Sequence, residues 1–230
     1  MPILAIDTST LVSSVAIATP GALIAELTLQ ARKTHSERLM SHIASLLQMA
    51  ELDVKKLKAI AVSLGPGSFT GLRIGLATAK GLAYALKIPL IGVPTLTALA
   101  FSCPVAGSYL APMLDAQREK VYQAVFEWQD GKLEEIIPAR VIAFDEAYTE
   151  LLKMSKPCVI LGEAAKMYRE KISSPAPPHI TMPRAGSIAV LAQKMFQNGE
   201  FQDIFALEPL YIRRSEAEEI WERRNSVLKG

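Results

Sequence analysis

Apolar and polar positions alternate in short runs from the first residues onward. Ile3–Thr8, Val12–Thr19 and Ala22–Leu29 read as three successive strands, the last two joined by a Pro20-Gly21 turn. The period then lengthens to that of a helix. Thr34-His35-Ser36-Glu37 matches a capping box, in which hydroxyl and carboxylate satisfy orphan helix donors. Leu39, Met40, Ile43, Ala44, Leu46, Leu47 and Ala50 follow on one broad face. Strand 59–64, helix 69–86, strand 89–93 and a short helix from Thr95 complete an order of βββαβαβα.

A second passage with the same order begins after Pro104. Tyr109–Leu114, Val121–Trp128 and Leu133–Ala143 read as strands, with Asp130-Gly131 as a hairpin turn. Asp145 is expected to cap a helix reaching Met154. Strand Val159–Leu161, helix Ala164–Lys171, a proline-rich loop 173–179, a short strand at Ile180–Met182 and a helix Ser187–Asn198 come next. A charged helix from Ser215 ends the chain. The repeat rests on element order, because the two halves share no visible sequence identity. Two lobes are expected, 1–104 and 105–230.

Residues 65–75, Gly-Pro-Gly-Ser-Phe-Thr-Gly-Leu-Arg-Ile-Gly, carry the most specific signal. A strand, a glycine turn and a helix N-terminus together often form an anion site. The usual fingerprints fail, however. There is no lysine to close a P-loop, and Thr70 stands where a dinucleotide motif needs its third glycine. Within the helix, Gly71, Gly75, Ala79 and Ala83 recur every four residues as a ridge with almost no side chain. Each glycine costs up to about 1 kcal/mol relative to alanine in a helix. Close approach of another element is the natural compensation, either this lobe's own sheet or helix, or a second chain.

Composition narrows the chemistry. Half of the 230 residues are hydrophobic, 21% are charged and the net charge is +2, so no general attraction to nucleic acid or anionic membranes is expected. The N-terminus lacks a signal-peptide pattern, and prolines break the apolar stretch 88–101, so no membrane span is expected. Two cysteines point to buried thiols in a reducing, cytoplasmic setting. His35 and His42 lie roughly 10 Å apart along one helix, too far for a single ion, and no His-Glu-x-x-His is present; no metal site is expected. Ser68 lacks the second glycine of a nucleophile elbow. Arg213, Arg214, Arg223 and Arg224 are interleaved with Glu216, Glu218, Glu219 and Glu222, which describes a mixed-charge face and not a basic patch.

The segments Ile3-Leu4-Ala5-Ile6-Asp7-Thr8-Ser9, His35-Ser36-Glu37, Gly65–Gly75, Thr95-Leu96, Leu114-Asp115-Ala116 with Val121-Tyr122, and Pro209-Leu210-Tyr211-Ile212-Arg213 occur in a fixed order. Together they resemble the bacterial TsaB family, also called YeaZ, over nearly the whole chain. The resemblance implies an α/β fold of two ribonuclease-H-like lobes of the actin-like ATPase (ASKHA) type, the second degenerate. It also implies a non-catalytic role in forming threonylcarbamoyladenosine at position 37 of transfer RNAs that read A-starting codons. The implied partners are a catalytic TsaD-like paralogue, a TsaE-like ATPase, transfer RNA through the complex, and a second copy of the chain in isolation. The implied partner surface is His35, Glu37, Leu39, Met40, Ile43 and Leu47 on the first helix, with Gly71, Ile74, Gly75, Thr78 and Ala79 on the second.

No cofactor of its own is expected, with ATP or ADP placed at the partner interface. Asp7-Thr8-Ser9-Thr10 and Asp115 lie where kinases of this fold hold phosphate and metal, but no glycine follows Asp7 before Gly21. A vestigial nucleotide site and a structural strand-end aspartate are both open readings. The family often has Asp-Ala-Arg where this chain has Asp115-Ala116-Gln117, so no ligand role carries over to position 117. The rival functions are a small-molecule kinase using Asp7 and Asp115, and a metallopeptidase, which the histidine spacing disfavours.

Overall fold

The computed structural model describes residues 1–30, 35–173 and 176–212, with residues 35–37 by backbone alone. The capping box at Thr34–Glu37, the side chains of His35 and Glu37, the arginines from Arg213 onward and the helix expected from Ser215 lie outside the described residues.

The first sheet is built from β1 (Ile3–Asp7), β2 (Val12–Thr19), β3 (Ala22–Gln30), β4 (Ala59–Gly65) and β5 (Leu90–Pro94), in the order β3-β2-β1-β4-β5. The first three strands form an antiparallel meander, and β1, β4 and β5 run parallel. Central strands are buried on both faces, which is why β1 reads as a continuous apolar run. Leu4 and Ile6 face helices α1 (His35–Met49) and α2 (Phe69–Leu86), with Leu39, Ile43, Leu46 and Leu76. Ile3 and Ala5 face the opposite way. There the sheet presents Ala16, Ala18, Ala59 and Ala61 to Ala185, Ala189 and Ala192 of a helix near the C-terminus, so alanine meets alanine and the layers approach closely.

The second sheet has four strands, β6 (Tyr109–Asp115), β7 (Lys120–Gln129), β8 (Lys132–Ala143) and β9 (Cys158–Leu161), ordered β8-β7-β6-β9. Helix α3 (Thr95–Phe101) ties the lobes together. Its Ala98 joins the core of the first sheet, while Leu96, Leu99 and Ala100 pack on Leu110, Leu114 and Phe126 of the second. The opposite face of the second sheet is covered by α4 (Phe144–Leu152) and α5 (Glu163–Met167).

The second half departs from its expected outline in several places. Asp145 does not cap α4; Ala143 holds that position, and Asp145 lies in the first turn, bonded to Lys171 at 2.7 Å. Helix α5 stops at Met167, and Tyr168 stacks on Phe144 with ring centroids 3.7 Å apart. The expected strand at Ile180–Met182 is a 3-10 turn at Pro178–Ile180, because Pro177, Pro178 and Pro183 remove ladder donors around it. Helix α6 (Ala185–Gln197) starts two residues early. Its first N–H groups are taken by side chains of the first sheet: Ala185 N donates to Ser14 Oγ at 3.0 Å, and Gly186 N to Glu26 Oε1 at 3.0 Å.

The expected boundary at residue 104 separates the two sheets, but the chain recrosses it. Helix α6 belongs to the first core, and Gln193 fixes it there by donating to the Ala18 and Met1 carbonyls at 2.8 and 2.9 Å. The segment that follows returns along the first lobe. Gln202 bridges to Leu90, and Leu210 N donates to Leu64 O at 2.7 Å.

Candidate functional site

The turn after β1 and the glycine turn after β4 meet beneath the start of α2. Asp7 Oδ1 accepts the Ser9 N–H and the Ser63 hydroxyl, both at 2.8 Å, so its carboxylate holds the strand-end turn in place. Thr8 donates its hydroxyl to Gly71 O at 2.7 Å, and Ser9 O accepts the Ser68 N–H at 2.7 Å. The glycines follow from this contact. A Cβ on Gly67 would collide with Ser9 O, one on Gly71 with Thr8 O, and one on Gly75 with Thr8 Oγ1. The ridge therefore faces this chain's own β1 turn. Gly71, Gly75 and Ala79 are buried there, and Leu39 and Ile43 lie in the adjoining core, which removes all five from the expected partner surface.

What remains outward on the two helices is different. Met40 is 55% exposed, and Leu47, Ile74 and Thr78 are half-buried. Beside them Ala44, Ala77, Gly81, Tyr84 and Ala85 are exposed. A Cβ on Gly81 meets nothing within 4 Å. The fourfold spacing that drew attention to the ridge repeats one step around α2, at Ala77, Gly81 and Ala85, where a burial pattern was needed to tell the two stripes apart.

Between the lobes lies a cleft of about 680 Å³. Ser9 and Thr10 line it from the β1 turn, and Ser68, Phe69, Thr70 and Arg73 line it from the first turns of α2. Asp115, Gln117 and Glu163 line it from the second lobe. Asp115 makes the same local turn as Asp7: its Oδ1 accepts the N–H two residues on, from Gln117 at 2.7 Å. Its own N–H donates to Glu163 Oε2 at 3.1 Å. Sequence patterns missed Glu163, Arg73 and Tyr211. Arg73 lies 3.8 Å over the Phe69 ring and donates to the Tyr211 hydroxyl at 3.0 Å, a contact spanning 138 residues. Among the described residues, no group of three or more His, Cys, Asp or Glu could hold a metal ion, and no helix is long and apolar enough to cross a membrane.

Burial, with the Asp115 carboxylate adding to it, pushes the Glu163 carboxyl above its ordinary range, and the Asp115 N–H only partly opposes this. A carboxyl raised in the fold favours the folded state fully below its ordinary value of about 4.3, and that contribution is lost as pH rises through the raised value. Glu163→Gln is therefore expected to raise the melting temperature at pH 7, with the gap to wild type closing as pH falls towards the ordinary carboxylate range. A lower melting temperature at pH 7 would mean that the Asp115 N–H bond outweighs the burial cost.

The comparisons with known proteins agree with this architecture. The family model described as TsaD, tRNA N6-adenosine threonylcarbamoyltransferase, matches residues 28–221. The tRNA threonylcarbamoyladenosine biosynthesis protein TsaB of Bacillus subtilis is 32% identical, covering 96% of this chain and 98% of its own. Its Escherichia coli counterpart is 28% identical, over 94% and 96%. Among solved structures, YeaZ from Pseudomonas aeruginosa superposes with a TM-score of 0.75 at 26% identity, covering 91% of this chain and all of its own. A two-lobed α/β fold with its first meander, its glycine turn and its returning C-terminal segment thus places this chain in the TsaB (YeaZ) family of tRNA threonylcarbamoyladenosine biosynthesis proteins, within the wider family described by the TsaD model.

Proposed function

We propose that this chain is the non-catalytic scaffold and activator of the complex that forms N6-threonylcarbamoyladenosine at position 37 of tRNAs reading A-starting codons. It binds a TsaD-type catalytic paralogue through the outward faces of α1 and α2. The observation that carries this reading is Gly81: a glycine in mid-helix costs up to about 1 kcal/mol, and here no contact among the described residues requires it. With Ala77 one turn before it and Met40 and Ala44 also exposed on α1, the outward surface allows a partner helix to approach closely. The same face joins two copies when the partner is absent. A TsaE-type ATPase completes the assembly, tRNA is met through the complex, and ATP or ADP is held at the partner interface in the cytoplasm. A kinase role is disfavoured because the Asp7 carboxylate is engaged with Ser9 and Ser63, and because the turn it holds has no glycine.

Depleting the gene is expected to lower threonylcarbamoyladenosine in tRNA, measured by nucleoside mass spectrometry. In reconstitution, the TsaD-type partner should modify tRNA only when this chain is added, and this chain alone should show no turnover. Unchanged modification, with no second copy of the gene present, would overturn the assignment; activity of the isolated chain would overturn the scaffold role.

A further inference from the structure

The inter-lobe cleft carries charges that the partner role does not use. On the first-lobe wall, the N-terminal turn of α2 has N–H groups without intrahelical acceptors and the positive end of the helix dipole. Arg73, one turn further, is exposed and pairs with no carboxylate of the described residues. Ser9 is wholly buried beneath this turn, and its hydroxyl has no hydrogen-bond partner among the described residues. On the opposite wall stand Asp115 and Glu163, two neighbouring carboxylates with no cation of the described residues against them. Charges of opposite sign, unpaired among the described residues, thus line opposite walls of a cleft of about 680 Å³, within the usual range of roughly 300–1,000 Å³ for small-molecule sites.

We propose that this cleft binds a free α-amino acid as its zwitterion, with the carboxylate at the start of α2 and Arg73, and the ammonium against Asp115 and Glu163. A nucleoside triphosphate fits less well, because it would set several negative charges against that carboxylate pair. The side chain of the amino acid would lie along Leu72, Tyr122 and Leu210, which line the same space.

Calorimetric titration of the full chain with the standard L-amino acids tests this. The tightest binder is then compared with its α-hydroxy acid, its decarboxylated amine and inorganic phosphate. At least one amino acid is expected to saturate a single site, and both analogues to bind about tenfold weaker or worse. Glu163→Gln should weaken the amino acid about tenfold while leaving the α-hydroxy acid unchanged. Arg73→Met should weaken the α-hydroxy acid and spare the amine. Thermal melting of each variant separates lost binding from lost folding. The proposal is wrong if no amino acid saturates, if the α-hydroxy acid binds as tightly as the amino acid, or if phosphate binds and amino acids do not. None of these results bears on the partner surface, because the titration contains no partner.

Discussion

Gly71→Ala is expected to destabilise the protein by about 1–3 kcal/mol, while Gly81→Ala, on the same helix ten residues on, stabilises it by up to about 1 kcal/mol. The signs differ because the surroundings do. At Gly71 even one added methyl group lands on the Thr8 carbonyl, a backbone atom fixed by the buried strand β1 and by the Thr8 hydroxyl bond to Gly71 O. Either α2 lifts off the sheet or the β1 turn shifts, and both loosen a close-packed core. At Gly81 the methyl points into open space, so only the helix preference of alanine is felt. Gly75→Leu should be more severe than either, since it drives a whole side chain towards Thr8 and Val62. Urea denaturation of the isolated chain reads all three. Equal, mild effects at positions 71 and 81 would show that the ridge is not packed as described.

Gly81→Trp is expected to weaken association with the TsaD-type partner by about 30-fold or more, equivalent to about 2 kcal/mol, without lowering the melting temperature of the free chain. Tryptophan is a better helix former than glycine, the position is exposed, and a Cβ there meets none of the described residues packed against the helix within 4 Å. Its bulk is felt only where a second backbone must come close. Self-association of the isolated chain should fall in parallel, because both contacts are proposed to use the same face. Retained affinity for partner and for self would place the interface elsewhere, and a fall in melting temperature would mean that this face is covered from within. Leu152→Trp, at an exposed position on α4 of the second lobe, serves as a control for the added aromatic surface.

Both predictions turn on a distinction that periodicity does not make. A stripe of small residues every four positions states that something approaches closely, but two such stripes run along α2. One meets Thr8, more than sixty residues earlier in the chain, and the other meets solvent in the isolated molecule. Leu39 and Ile43 were legible as a hydrophobic face of α1, yet only the folded sheet decides that this face is spent on Leu4, Ile6 and Val15.

Local chemistry was sufficient for the rest of the first lobe. Three short strand-like runs bounded by turns, a helical period after them, and the Gly-Pro-Gly break before α2 defined the elements, and the structure reproduces α2 at Phe69–Leu86. The second lobe was legible where strands alternate, and less so where its ends depend on distant atoms. Helix α6 begins where Ser14 and Glu26 supply its caps from more than 150 residues away, so no local residue marks the boundary. The cleft is the extreme case. Asp7 and Asp115 were found as strand-end aspartates, and both make the same short turn. Arg73 meets Tyr211 because the segment behind α6 returns along the first lobe, and Glu163 meets Asp115 because β9 pairs in parallel with β6. Sequence by itself determined most of the elements, the βββαβα order that the two halves share, and the family, since these rest on neighbours along the chain. Which glycines are buried, which helix face is free and which charges share a cleft were decided by tertiary packing, because each depends on the distance between residues that the chain keeps far apart.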